Sequence, residues 1–264
     1  MRGTCGDYIA MAKQETEAAD SNGYVSLIRR MQSECAMETW TGASKLGTKA
    51  PTLLEALDVL LSYLDRAASC FGGCRGGDHR AEYLTGRVAS SCQACLLLIS
   101  CGYYDESLSI IRSLGEIANL MSMFVTDRAQ FERWKAVDES TRRREFTPVK
   151  VRLWLESKNG ALVIDEQRYR SLSSYSLHAS PNAVPQAYNE HGTTMIAPRF
   201  QAAGFLLCLN ELARSMAFIG IFSGSLLELP KTIKDAIQPV CQMLVDNIGG
   251  IDIKTEGRPW FSLS

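Results

Sequence analysis

Apolar residues recur along most of the chain at steps of three and four, the spacing that lines one face of an α-helix. The clearest case is residues 52–69, where leucine repeats at this spacing after Pro51 and Thr52, which suit the start of a helix. The same pattern predicts further helices at 7–19, 24–40, 80–100, 106–126, 128–137, 148–158, 165–178, 199–227 and 230–247.

The segments between these helices favour turns and loops. Four of the six residues in 72–77 are glycine, 138–145 reads as a charged turn, and 179–198 is a loop with three prolines. Asp105 is expected to be the N-cap of the helix that starts at Glu106. No stretch alternates apolar and polar residues over the length of a strand.

We therefore expect an all-α fold, a bundle of roughly eight to ten helices without a significant sheet. An N-terminal helical segment, residues 1–50, is expected to pack on a helical bundle formed by residues 51–264. The connection near Cys101 and Gly102 is only a few residues long, so the helices on either side of it should form an antiparallel hairpin.

Composition limits the classes of function. The 264 residues carry a net charge of −1, which disfavours a protein that binds nucleic acid through overall positive charge. No signal peptide is visible, and no run looks both long and apolar enough to cross a bilayer. The most apolar stretch, 205–227, reads as a buried helix. We expect a cytoplasmic protein with no membrane partner.

The nine cysteines allow two interpretations. Cys70-x3-Cys74 and Cys92-x2-Cys95 could together supply four thiolates to zinc, with His79 nearby. However, Cys92 and Cys95 fall on an apolar helix, where free cysteine usually acts as a small buried hydrophobe. We therefore expect reduced core thiols and no metal or other cofactor.

One polar stripe crosses the otherwise apolar helix at 106–126. Ser109, Arg112, Glu116 and Asn119 follow each other at steps of three and four, so they share one face. Charged residues on a helix that is apolar over about half its circumference are costly unless they are paired. The stripe is either an intrahelical Arg112–Glu116 pair at a partly exposed seam or part of a polar pocket.

A second polar group lies on the helix at 165–178. Arg170, Ser174 and His178 share one face at steps of four, and Tyr175 neighbours His178. A histidine at a helix C-terminus either caps carbonyls, helped by the helix dipole, or acts as a proton donor and acceptor. Tyr169 lies near the start of the same helix.

Residues 128–152 form a local basic segment, with eight basic residues against four acidic ones, a net charge of +4. Arg142, Arg143 and Arg144 are its densest part, and Trp134 lies within it. Such a segment either binds phosphates or is a solvated surface.

Some of these residues recur in a fixed order along the chain: Gly102-Tyr103-Tyr104-Asp105-Glu106, Arg112-Ser113-Leu114-Gly115-Glu116, Trp134-Lys135, Tyr169-Arg170-Ser171-Leu172-Ser173 and His178. Over roughly residues 85–215 this order resembles a group of bacterial helical proteins. In that group a Gly-Tyr-x-Asp-Glu turn leads into an Arg-x-x-x-Glu helix, and a later helix reads Tyr-x-x-Leu-Ser-x-x-x-x-His.

More distantly, the layout is similar to the HEPN superfamily, the higher eukaryote and prokaryote nucleotide-binding domains. These are small helical bundles, often dimeric, and many are metal-independent ribonucleases of bacterial toxin or phage-defence systems. Active members carry Arg-x4–6-His near the end of a helix, where both residues act on the scissile phosphate. Here seven residues separate Arg170 from His178.

The resemblance implies a nucleic-acid-acting or nucleotide-binding protein, with RNA or a nucleotide as partner. His178 would be the general acid/base, Arg170 or Arg112 would stabilise phosphate charge, and Glu116 would orient its partner. The residues expected to bind are Tyr169, Tyr175, Asn119, Arg142, Arg143 and Arg144. The alternative, favoured by the spacing and the near-neutral charge, is a non-enzymatic interaction module or ligand-binding homodimer.

Overall fold

The computed structural model describes residues 23–69, 76–176 and 184–248, and within these ranges the chain forms ten α-helices and no strand. The predicted all-α bundle is therefore confirmed. The predicted helix at 7–19 and most of the glycine-rich loop at 72–77 lie outside the described residues. The helices are α1 (Tyr24–Ala43), α2 (Lys49–Ala68), α3 (Arg80–Ser100), α4 (Tyr104–Thr126), α5 (Arg128–Ala136), α6 (Glu139–Glu145), α7 (Pro148–Ser157), α8 (Glu166–Ser176), α9 (Ala202–Leu226) and α10 (Lys231–Asn247).

Helix α9 is the centre of the bundle. It packs most extensively against α4 and α10, and also against α2 and α3. Most of its residues are buried, including the polar Asn210 and Glu211. Helix α4 is the second central element, because it also receives α3, α7 and α8 on its other sides. The candidate polar residues of α4 lie on the side of this helix that faces α7 and α8.

Two helices, α4 and α9, are long and apolar enough by length and composition to cross a membrane. The expectation that no run of the chain meets this description was wrong. The most apolar windows of the two helices are 56% and 78% buried inside the bundle, respectively. Burial in a protein core gives the same composition as a lipid-facing span, and the predicted buried helix at 205–227 agrees with α9.

The hairpin predicted around Gly102 is present. Three residues link α3 to α4, and the Cys95 thiol of α3 lies 3.7 Å from the Ser107 carbonyl oxygen of α4. Gly102 has a φ of +77°, and an added Cβ would lie 2.2 Å from the Arg199 carbonyl oxygen. This position therefore needs glycine both for its conformation and for the close approach of the 184–201 segment.

Two local predictions were wrong. The expected charged turn at 138–145 is mostly helix α6, because the Asp138 carboxylate caps it by accepting hydrogen bonds from the Thr141 backbone amide and hydroxyl. Asp105 is not the N-cap of α4, since the helix begins at Tyr104. The Asp105 carboxylate is engaged instead by a distant segment of the chain.

That segment, residues 184–201, is held against the start of α4 by a buried hydrogen-bond network. The Tyr188 hydroxyl and the Gln186 backbone amide donate to the Asp105 carboxylate at 2.5 and 2.8 Å. The Tyr104 amide donates to Gln186 Oε1, and the Gln201 amide donates to the Tyr104 hydroxyl. Burial raises the pKa of Asp105, while both donors act in the opposite direction. The network fixes where α9 begins.

Gly204, in the first turn of α9, provides a test of this close packing. An added Cβ would lie 2.5 Å from Cδ2 of Tyr104 and 2.9 Å from Cγ of Tyr188, two rings whose positions the network fixes. We expect Gly204→Ala to lower the free energy of unfolding by about 1–3 kcal/mol, measured by urea denaturation.

Gly86→Ala in α3 is the matched control, because its added Cβ would meet only Ala68 Cβ at 3.7 Å. That variant should be about 0.5–1 kcal/mol more stable than the parent protein, since alanine favours a helix interior. Equal stabilities of the two variants would contradict the packing described here.

Candidate functional site

Arg112 and Glu116 of α4 form an ion pair at the boundary between α4 and α8. Arg112 Nη2 lies 2.9 Å from Glu116 Oε1, and the two side chains are 20% and 21% exposed. The atoms are close but are not aligned as a hydrogen bond, and the buried Oε1 has no aligned hydrogen-bond partner among the residues that the structure describes. The predicted intrahelical pair therefore exists, with part of its hydrogen-bonding capacity unused.

Helix α8 supplies a hydroxyl and an aromatic ring to this pair. Arg112 Nη1 donates to Ser173 Oγ at 3.1 Å, and its Cζ lies 4.8 Å from the centroid of the Tyr169 ring. Ser173 in turn donates to the Tyr169 carbonyl one turn earlier. Arg112, Glu116 and Tyr169 therefore converge, and the alternative of a polar pocket around them stays a prediction.

Helix α7 adds a second arginine, Arg152, which the sequence placed only at the end of the basic segment 128–152. Arg152 is 6% exposed, and its Cζ lies 4.8 Å from the centroid of the same Tyr169 ring. Its Nη1 is buried and has no hydrogen-bond partner among the described residues. The five residues Arg112, Glu116, Arg152, Tyr169 and Ser173 are called the arginine cluster below.

Charge is not balanced within the arginine cluster. Two guanidinium groups face one carboxylate, and burial raises the pKa of Glu116 although Arg112 and Arg152 both act to lower it. The desolvation of the carboxylate therefore outweighs its attraction to the two cations. At neutral pH the cluster contains two cations and at most one anion.

The fold holds the three helices of this cluster in place through other polar residues. Asn119, which was expected to bind a ligand, is 2% exposed and instead connects α4 to the backbone of the segment before α8. Its Nδ2 donates to the Ile164 carbonyl, while its Oδ1 accepts from the Val163 and Ile164 amides. Asp165 then caps the start of α8.

A buried ion pair attaches α8 to α9. Arg168 Nε donates to Glu211 Oε2 at 2.9 Å, and the Glu211 side chain is 3% exposed. Glu211 is one of the charges that interrupt the apolar stretch at 205–227. Its role here is to position α8, and with it Tyr169.

The other candidates on α8 do not join the arginine cluster. Arg170 is exposed and forms an ion pair with Glu166 one turn earlier on the same helix. His178 and the Tyr175 side chain lie outside the described residues, so their proposed roles stay predictions.

The three arginines of α6 are bound to nearby groups of the protein. Arg142 donates to the carbonyls of Trp134 and Val137, at the C-terminal end of α5. It also donates to the Glu139 carboxylate. Arg143 donates to the same carboxylate, and Arg144 pairs with Glu145. The local excess of positive charge is thus partly neutralised by the acidic residues of the same segment.

No metal site is visible in the described part of the chain, where no group of three or more His, Cys, Asp and Glu side chains is placed to hold an ion. Cys92, Cys95 and Cys208 are buried free thiols, and burial raises the pKa of each. Cys70 and Cys74 lie outside the described residues.

A separate surface cleft of ≈ 620 Å³ lies between α2 and the start of α10, bordered by Tyr63, Arg66, Leu229 and Ile233. It shares no residue with the arginine cluster. The arginine cluster combines buried charged side chains with unused hydrogen-bonding atoms, so we regard it as the stronger candidate site.

No family model, curated protein or solved structure matches this chain. Two members of the arginine cluster, Arg152 and Ser173, were not predicted from the sequence as site residues. One signal for Arg152 was available, because it lies between Val151 and Leu155 on the apolar side of α7, where a charged residue is unusual.

The raised pKa of Glu116 predicts how stability depends on pH. The native state holds this proton more tightly than the unfolded chain, whose glutamate has the ordinary value of 4.5. The stability contribution is therefore greatest below pH 4.5 and is lost as the pH rises towards the native pKa. Glu116→Gln cannot titrate and should lack this loss.

The stability of Glu116→Gln relative to the parent protein should therefore increase as the pH rises above 4.5, and then level off. Urea denaturation at a series of pH values measures it, since all other titrating groups are common to both proteins. A difference that moves in favour of glutamate over this window would show that the ion pair outweighs desolvation.

Proposed function

We propose that this protein is a helical binding module that takes a small phosphate-bearing ligand, such as a nucleotide, at the arginine cluster. The observation that carries the proposal is the Arg152 guanidinium, which is more than nine-tenths buried and whose Nη1 has no acceptor among the described residues. Such a group destabilises a folded protein until an anion or water completes it. A ligand anion would do so.

The donors that remain open suit phosphate. Arg112 Nε is also buried and has no hydrogen-bond partner in the described ranges, so both arginines of the cluster have an N–H group that no described residue accepts. A guanidinium group presents its N–H donors in a planar fork that matches the oxygens of a phosphate. A terminal phosphate has three such oxygens, enough to face both arginines at once.

A small ligand is supported better than a nucleic-acid chain. Binding a long polyanion requires a track of unpaired cations along the surface. The arginines of α6 are the densest basic residues of the chain, and they are engaged by Glu139, Glu145 and backbone carbonyls. The net charge of the chain is −1.

Ribonuclease activity is the second candidate. The observation that favours it is the contact of Arg112 with Ser173, because Ser173 belongs to the segment from Tyr169 to His178 that resembles the group of bacterial helical proteins. If the purified protein cleaves RNA and His178→Ala abolishes the cleavage, this candidate replaces the binding module. Intact RNA in both reactions would leave ligand binding as the function.

The binding proposal is tested by Arg152→Met, which removes the buried charge and keeps an apolar side chain of similar reach. We expect this variant to bind inorganic phosphate and AMP about 10- to 100-fold more weakly, the effect of losing hydrogen bonds to a charged group. Its free energy of unfolding should be unchanged or raised by about 1–4 kcal/mol, because an incompletely balanced charge has left the interior. Titration calorimetry and urea denaturation measure the two quantities.

Arg170→Ala is the matched control, since it removes one positive charge from the exposed side of the neighbouring helix. Its affinity for both probes should equal that of the parent protein. The proposal is wrong if Arg152→Met binds as well as the parent protein, or if neither phosphate probe binds the parent protein or Glu116→Gln.

A further inference from the structure

The Glu116 carboxylate lies where a bound anion would be expected to pair with Arg112. Its Oε1 lies 2.9 Å from Arg112 Nη2, while neither Arg112 Nε nor Glu116 Oε1 makes an aligned hydrogen bond within the described part of the chain. An aligned bidentate pair would have used these atoms. Arg112 still stabilises the Glu116 carboxylate through charge and a short contact, but the pair leaves Arg112 Nε unused, and an anion with two aligned oxygens could replace it.

The groups around Glu116 favour such a replacement. Within the described residues the charges that act on it are Arg112 of its own helix and Arg152 of α7. Helix α8 adds the neutral Tyr169 ring and Ser173 beside Arg112, and the Arg168 side chain of the same helix is held by Glu211 of α9. A second anion among these groups would face one carboxylate in partly desolvated surroundings.

We propose that Glu116 is a built-in competitor of the ligand, which occupies Arg112 in the free protein and takes up a proton when a phosphate displaces it. This inference rests on the function proposed above. No covalent bond to the ligand forms. The proton comes from solvent, the carboxylate becomes neutral, and both arginines keep their charges.

Competition of this kind makes the site selective for ligand charge. A phosphate diester carries one negative charge, as the glutamate does, so it gains little by replacing it. A phosphate monoester carries nearly two and can balance both arginines after Glu116 is neutralised. The ligand class that follows is a phosphate monoester, such as a nucleoside monophosphate, rather than the diester backbone of a nucleic acid.

The experiment compares the parent protein with Glu116→Gln by titration calorimetry, with sulfate, AMP and dimethyl phosphate as probes. Sulfate is included because it keeps both charges across the pH range in which Glu116 titrates. We expect Glu116→Gln to bind sulfate about tenfold more tightly at neutral pH, the effect of removing one partly screened like charge. The parent protein should prefer AMP to dimethyl phosphate.

Proton uptake on ligand binding can be measured on the parent protein alone. When sulfate binds to the parent protein, the heat measured in buffers of different ionisation enthalpy should report net uptake of protons. Sulfate affinity should therefore rise as the pH is lowered, until Glu116 is protonated in the free protein. Glu116→Gln should show neither the uptake nor this pH dependence.

The results separate this inference from the function on which it rests. If sulfate binds the parent protein through Arg152 but Glu116→Gln binds it equally or more weakly, Glu116 orients Arg112 and is not a competitor. Absence of proton uptake in the parent protein would overturn the inference in the same way. If no probe binds either protein, the proposed function itself fails.

Discussion

Two arginines packed around one tyrosine ring, with a single carboxylate beside them, are the constraint on which the rest of this site depends. Arg112 and Arg152 each lie 4.8 Å from the centroid of the Tyr169 ring, and one of them is almost fully buried. Cation–π attraction offsets part of the desolvation of each guanidinium group. This attraction provides no hydrogen-bond acceptor for Arg152 Nη1, whereas a bound anion would accept a hydrogen bond from it.

The scaffold holds these groups with contacts that have no direct part in binding. The Arg168–Glu211 pair attaches α8 to the central helix α9, and Asn119 attaches the start of the same segment to α4. Tyr169 therefore has a fixed position between helices that arrive from three different parts of the chain. A site held in this way can keep an unfavourable charge, because the surrounding structure leaves it no alternative position.

Most of the helices could be predicted from sequence, because their apolar residues recur with helical spacing and their ends carry proline, glycine or capping residues. Helix α6 was missed because its stability comes from capping by Asp138 and from ion pairs rather than from an apolar face. Asp105 has the residue type of an N-cap, but its partners are more than eighty residues away in the sequence.

The candidate site was predictable only in part, for the same reason. Arg112 and Glu116 share one helix face, so their spacing alone predicts their contact. Their meeting with Tyr169, Ser173 and Arg152 depends on how α7 and α8 pack against α4, which no local pattern encodes. Asn119 shows the reverse case: its position on the polar stripe suggested binding, whereas its amide connects two segments of backbone.

The most direct test of the arginine cluster is a crystal structure of the protein grown with AMP. An anion site predicts that phosphate oxygens lie within hydrogen-bonding distance of both Arg152 Nη1 and Arg112 Nε, and that Glu116 has moved away from Arg112. A structure in which AMP is bound elsewhere, while Arg152 Nη1 donates to a carbonyl or carboxylate of the protein itself, would contradict it.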